Sequence, residues 1–189
     1  MPKFCANVSF LWKELSVPNR IRAASAAGFE AVEILFPYDD PMPDVQRALD
    51  DTGLTLALIN CPPPNYTGGA RGFAAVPETR DRFRTDFRRA LRYAQTLGAQ
   101  HLHIMSGVAE GEDAQTTLIE NLIWACETAP DQSLTIEPIN THDMPGYFLS
   151  DFDLAADVIR SVGAPTLGLQ FDGYHAHRIT GDLMGTWDR

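Results

Sequence analysis

Apolar residues along the chain occur in two kinds of stretch that take turns. Short runs rich in β-branched and aliphatic residues read as strands buried on both faces. Longer stretches with apolar residues three and four apart read as helices with one buried face. The first run covers 4–10, where apolar and small polar residues alternate. Pro18 opens a helix that runs through Ala27 and stops at Gly28. Ala31-Val-Glu-Ile-Leu-Phe36 is a second strand closed by Pro37, and a short helix over 44–51 ends at Gly53. A third strand over 54–60 finishes in Asn60. Three prolines and paired glycines exclude a regular element from 61–72, and a loop of that length in a compact domain is often a lid or binding loop.

From 78 to 97, the residues Phe83, Phe87, Ala90, Leu91, Ala94 and Leu97 share one helical face; arginines crowd the other, and Gly98 ends the helix. His101-Leu-His-Ile-Met105 is the fourth strand, and Leu118, Leu122, Ala125 and Ala129 mark a helix over 114–129. The fifth strand begins at Ser133 and carries Glu137 near its end; Pro138, which cannot donate to a sheet ladder, marks where pairing stops. Ser150-Asp-Phe-Asp153 has the form of a capping box with Ser150 as the cap. The helix it opens buries Leu154, Ala155, Val158, Ile159 and Val162 before Gly163. A sixth strand runs from Thr166 to Asp172, and 181–187 reads as the approach to a sixth helix. This alternation specifies parallel βαβ units with right-handed crossovers, which a doubly wound open sheet and a closed barrel both satisfy. No G-x-G-x-x-G or P-loop follows the first strand, so no nucleotide cofactor is expected.

Composition narrows the picture only a little. The 189 residues suffice for one sizeable core, and the whole chain reads as a single domain over 1–189. A formal net charge of -10 and a pI near 4.8 argue against a nucleic-acid partner, which needs a basic face. The first residues are too polar for a signal-peptide core, and no apolar run approaches the roughly 20 residues needed to span a bilayer. Three widely spaced cysteines, Cys5, Cys61 and Cys126, read as reduced thiols. A cytoplasmic protein with no membrane partner is the expectation.

Chemistry concentrates where two buried strands end. Glu137 is a carboxylate at the close of an apolar run, where a lone buried charge costs several kcal/mol unless it is paired or holds a metal. The bland alternative is an acid satisfied by backbone amides or an arginine. Asp172 ends the sixth strand with His175 three residues on. Asp172 can equally be a turn or helix-cap residue before Gly173, and His175 a loop histidine. Glu33 lies inside the second strand, where pairing with a cation is the expected role. His101 and His103 share a strand face by period-two geometry and are expected to pack and hydrogen-bond.

The wording of these stretches carries a resemblance. Phe4-Cys-Ala-Asn-Val-Ser9, Val32-Glu-Ile-Leu-Phe-Pro-Tyr38, Gly69-Ala-Arg-Gly72, Ile136-Glu-Pro-Ile-Asn140 and Asp172-Gly-Tyr-His175 resemble the hydroxypyruvate isomerase family of xylose-isomerase-like TIM barrels. The resemblance implies an α/β fold, a TIM (β/α)8-type barrel truncated after about six β/α units, since a complete barrel takes roughly 250 residues. It implies isomerisation of hydroxypyruvate to 2-hydroxy-3-oxopropanoate (tartronate semialdehyde) through an enediolate, assisted by a divalent metal, Mg²⁺ or Mn²⁺. By this likeness Glu137 and Asp172 are metal ligands, Glu137 also carries protons, and His175 contacts substrate beside them. The family's other two ligands and its second catalytic glutamate lie on strands seven and eight. Asn60 and Arg71 are candidate substrate contacts, Arg71 because a guanidinium fork fits the carboxylate of hydroxypyruvate.

Three expectations follow from six units. The 189 residues alone should have little or no activity, the edges of strands one and six should be unpaired, and the chain should tend to associate, as a homo-oligomer or otherwise. The rival readings are a 2-oxo-tetronate isomerase, a ketose 3-epimerase of the same superfamily, and a non-catalytic sugar-acid-binding remnant. The Glu-Pro-Ile-Asn wording tilts the expectation to hydroxypyruvate. Apurinic-site endonucleases, a further branch, would want a basic groove that this pI does not offer.

Overall fold

The computed structural model describes residues 3–61 and 72–188. Six strands alternate with helices: β1 Cys5–Asn7, β2 Ala31–Ile34, β3 Thr55–Asn60, β4 His101–His103, β5 Ser133–Ile136 and β6 Leu167–Leu169. The helices are α1 Val17–Ala26, α2 Met42–Thr52, α3 Arg80–Leu97, α4 Gly111–Thr128, α5 Phe152–Val162, α6 Gly173–Thr180 and α7 Leu183–Trp187. Every strand pair is parallel and the sheet order is β1-β2-β3-β4-β5-β6. A doubly wound sheet reverses direction partway through its order. Here each strand adds on the same side as the last, the progression of a (β/α) barrel. Among the described residues β1 and β6 each have one neighbour, so the sheet is an open arc of six strands.

The helices bury the faces their spacing predicts. Phe83, Phe87, Ala90, Leu91, Ala94 and Leu97 are all buried along α3, and Phe83 and Phe87 set their rings edge-on to Trp124 of α4. Gly53, Gly98 and Gly163 end their helices in the left-handed conformation, where a side chain would be strained. In α5 only Ala155 and Val158 are fully buried; Leu154, Ile159 and Val162 are half-covered, because this helix packs over the outermost strand. No helix among the described residues is long and apolar enough to cross a membrane.

Three local expectations are corrected. The first strand stops at Asn7, well short of residue 10, because Asn7 turns the chain. Its side-chain oxygen accepts from Ser9 N–H at 3.0 Å, and its carbonyl accepts from Phe10 and Leu11. The sixth strand ends at Leu169, so Asp172 stands beyond it, and His175, for which a loop was the bland alternative, lies in helix α6. The strand-side alternation hides this helix, since only Ala176 in it is buried. The cap of α5 is Asp151, not Ser150: Asp151 Oδ1 accepts from Leu154 N–H at 2.8 Å. Removing an N-cap acceptor costs about 1 kcal/mol. Asp151→Ala is therefore expected to lower the free energy of urea unfolding by about that much, and Ser150→Ala by less than ~0.5 kcal/mol. The opposite ranking would return the cap to Ser150.

Candidate active site at the carboxyl ends of the strands

Parallel strands deliver one side chain each to a common end, and there a cavity of about 730 Å³ opens. Asn7, Glu33, Asn60, Glu137, Gln170, Asp172 and His175 reach it from five strand ends and the start of α6. No lysine or arginine belongs to its described lining. Four carboxylates, Glu33, Glu137, Asp143 and Asp172, line this space, and the nearest described cation, Arg178, acts on Asp143 at its rim.

Glu137 is the most buried of them, at 7% exposure, one residue beyond β5. Its oxygens are held by a chain of neutral donors. Thr135 Oγ1 and His103 Nδ1 lie 3.4 and 3.0 Å from the side-chain oxygen Oε1 of Gln170, and the Gln170 side chain hydrogen-bonds Glu137. His103 Nδ1 also comes within 3.5 Å of Glu137 Oε2. That is ion-pair distance, but burial pushes the imidazole down to about 4, which disfavours the charged ring, and the hydrogen bond of Nδ1 goes to Gln170. His103 Nε2 is buried without a partner among the described residues. The Glu137 carboxyl is pushed up to about 8, by burial first, then by repulsion from Asp172 and Glu33, with the Gln170 hydrogen bond pulling the other way.

Asp172 caps α6, its Oδ1 accepting from His175 N–H at 2.8 Å. The capping alternative is thus present, and it uses one carboxylate oxygen of two. Glu137, Asp172 and His175 each offer a ligand atom, and all three atoms lie within 4.8 Å of one another. The expected cation partner of Glu33 is corrected: its Oε1 accepts from Asn7 Nδ2 at 2.8 Å, and its charged neighbour is Asp172, which with burial raises its pKa. Asn60 is buried at the cavity wall with Oδ1 unpartnered among the described residues. Arg71 lies outside the described residues. His101 is exposed and bonds Ser133 Oγ at 2.9 Å, away from the site that His103 supports.

Sequence reasoning left Asn7, Gln170 and Asn140 without roles here; His103 was expected to pack and hydrogen-bond, and it does so against Gln170. Asn140 sits in the β5–α5 loop, with its Nδ2 2.8 Å from His175 Nδ1. The period-two pattern offered a signal for the pair Thr135 and Glu137. Their neighbours His103 and Gln170 follow only from the register of β4 and β6 against β5.

Residues 21–187 match the xylose isomerase-like TIM barrel family, and the chain belongs to that family. It is 42% identical to a protein named 2-oxo-tetronate isomerase from Cupriavidus necator, over 97% of this chain and 73% of that one. It is 35% identical to the hydroxypyruvate isomerase of Escherichia coli, over 98% of this chain and 74% of its relative. A crystal structure described as an AP endonuclease, family 2, from Brucella melitensis superposes with a TM-score of 0.95 at 38% identity, over 100% of this chain and 75% of that one.

The carboxyl cluster makes stability depend on pH. An acid whose pKa is raised by folding adds stability at low pH and loses it as the pH climbs from 4.5 to about 8, which is the case of Glu137. His103 acts in the opposite sense: lowered from 6.5 to about 4, it contributes fully above 6.5 and loses its share as the pH falls. Above 6.5 only Glu137 of this pair is active. The chelator-treated chain is therefore expected to lose on the order of 1–2 kcal/mol between pH 6.5 and 8. Glu137→Gln should flatten that decline in a thermal-melt series, and an unchanged slope would assign it to another group.

Proposed function

We propose that this chain is a single xylose-isomerase-like domain that interconverts hydroxypyruvate and 2-hydroxy-3-oxopropanoate, using Mg²⁺ or Mn²⁺ and no nucleotide. The observation that carries the reading is the meeting of Glu137, Asp172 and His175 at one cavity whose described lining has four carboxylates and no lysine or arginine. That donor set fits a hard divalent ion: carboxylate oxygens are its preferred ligands, and their mutual repulsion is a charge deficit an ion relieves. Glu137 and Asp172 would hold it. When bound, the ion supplies positive charge for the oxygens of an enediolate.

The rest is done by this chain's own groups. Moving a carbonyl between adjacent carbons requires a base that takes a proton from one carbon and an acid that returns it to the next. Glu137 is the base, oriented by Gln170 and His103, and it must be ionised to act. His175 stands beside it, at a substrate oxygen. Asn60 offers an unpartnered amide oxygen to a substrate hydroxyl, and Arg71 is assigned to the substrate carboxylate. The protein works in the cytoplasm on a small sugar acid. The acidic cavity disfavours a phosphodiester backbone as substrate.

A second reading, a 2-oxo-tetronate isomerase, is favoured by the 42% identity to the Cupriavidus protein of that name. The Glu-Pro-Ile-Asn wording at 137–140 favours the first. Two carboxylates are half of the ligand set the resemblance implies, so turnover by the 189 residues is expected to be slow and metal binding is the more sensitive readout. Mn²⁺ binding followed by electron paramagnetic resonance should be lost on Glu137→Gln and on Asp172→Asn. Either substitution should lower hydroxypyruvate turnover by about 10²-fold or more. Binding and turnover that survive both substitutions would overturn the proposal. A higher kcat/KM on a 2-oxo-tetronate than on hydroxypyruvate would select the second reading.

A further inference from the structure

His175 is one of three groups placed to hold a metal ion, yet its hydrogen bonds tell which of its nitrogens has a lone pair to give. Asn140 is buried at 1% exposure, and its side-chain orientation is set by groups that can only donate. The backbone N–H groups of His142 and Asp143 reach Asn140 Oδ1 at 3.1 and 3.0 Å. That atom must therefore be the amide oxygen, and the NH₂ must be the other end. One of its hydrogens goes to Asp143 Oδ2 at 3.0 Å. Hydrogen bonds from Asn140 and Tyr174 hold that carboxyl below the usual carboxylate range, so it accepts only. The other hydrogen goes to His175 Nδ1 at 2.8 Å. The backbone N–H of Asn140 approaches the same nitrogen at 3.4 Å. Two donors converge on Nδ1, so Nδ1 carries a lone pair, and in the neutral ring the proton is on Nε2. No described group bonds Nε2, and the ring lines the cavity.

We infer that Asn140 is a positioning residue that locks His175 as an Nε2–H hydrogen-bond donor to a substrate oxygen, leaving the cation to Glu137 and Asp172. Neither nitrogen offers a free lone pair: that of Nδ1 is engaged by Asn140, and Nε2 is protonated. The ring is thus excluded from the metal shell by the partner behind it, the reverse of the arrangement in which a carboxylate or carbonyl accepts the rear N–H and frees the front nitrogen for a metal. A donor in this place is matched to an oxygen that gains negative charge as the proton leaves carbon. The substrate role rests on the isomerase reading; the tautomer does not.

The test uses the 189-residue chain labelled with ¹⁵N-histidine. Long-range ¹H–¹⁵N correlation spectra distinguish the two neutral tautomers, and the His175 resonance among five histidines is assigned by its loss in His175→Gln. The wild-type ring is expected to show the Nε2–H pattern. Asn140→Asp paired with Asp143→Asn reverses the hydrogen-bonding sense behind the ring while keeping one carboxylate and one amide. It is expected to give the Nδ1–H pattern and to bind Co²⁺ roughly tenfold tighter or more, as a third ligand is freed. Asn140→Ala guards against misfolding of the pair and should give a mixture of tautomers. A wild-type Nδ1–H pattern, or one tautomer throughout the series, overturns the inference. Inversion of the tautomer in a chain whose Mn²⁺ binding survives Glu137→Gln and Asp172→Asn would uphold the assignment and sink the isomerase reading instead.

Discussion

A carboxylate taken out of water at the end of a strand cannot stand alone, and much of this molecule's interior is arranged around that fact. Glu137 replaces lost hydration with a relay of neutral donors, Gln170 directly and His103 and Thr135 behind it. These occupy inward positions on β4, β5 and just past β6, where apolar side chains would pack with less penalty. The relay solvates the acid without neutralising it. Asp172 and Glu33 add repulsion, and the sum pushes the Glu137 proton affinity up to about 8. Like-charged groups held together in a water-poor pocket cost stability.

Consecutive parallel strands convert this local chemistry into a site. The chain returns to the same end of the sheet after every crossover, so residues as far apart in sequence as Asn7 and His175 line one cavity. The loops that carry the outer groups are tied to each other. The buried Tyr147 hydroxyl oxygen accepts from Ser106 N–H at 3.0 Å, and Ser106 Oγ accepts from Leu149 N–H at 3.1 Å. Phe148 N–H bonds the carbonyl of Gly107 at 2.9 Å. This stitching between the β4–α4 and β5–α5 loops fixes the backbone from which Asn140 addresses His175. Gly107 is required in it: with φ at +88°, a Cβ there would lie 2.4 Å from the carbonyl oxygen of Gly72.

Reading of the chain by pattern went furthest where one physical rule acted alone. Helical periodicity located the apolar face of α3, all six residues of it buried, but not the burial of Asp86 beside them, which Arg82 pairs at 2.6 Å. Rules that compete were harder to read. Asp151 and Ser150 are both good caps, and only the path of the chain into α5 selects Asp151. Helix α6 has a single buried residue, so no apolar stripe announced it. Glu33 inside an apolar strand called for a compensating charge, and the fold answers with the amide of Asn7 instead.

The amino-acid sequence by itself determined the alternation of strands and helices, the two acids at strand ends, and the family wording around them, since each depends on residues close together in the chain. Tertiary structure decided the rest. The order of strands separates a barrel progression from a doubly wound sheet that local pattern cannot distinguish. The register of β4 and β6 against β5 sets His103 and Gln170 around Glu137, and the fold brings Asn140 behind His175. Hydrogen bonds and Coulomb repulsion act through space over a few ångströms, so protonation and tautomer are properties of neighbours that the linear chain keeps dozens of residues apart.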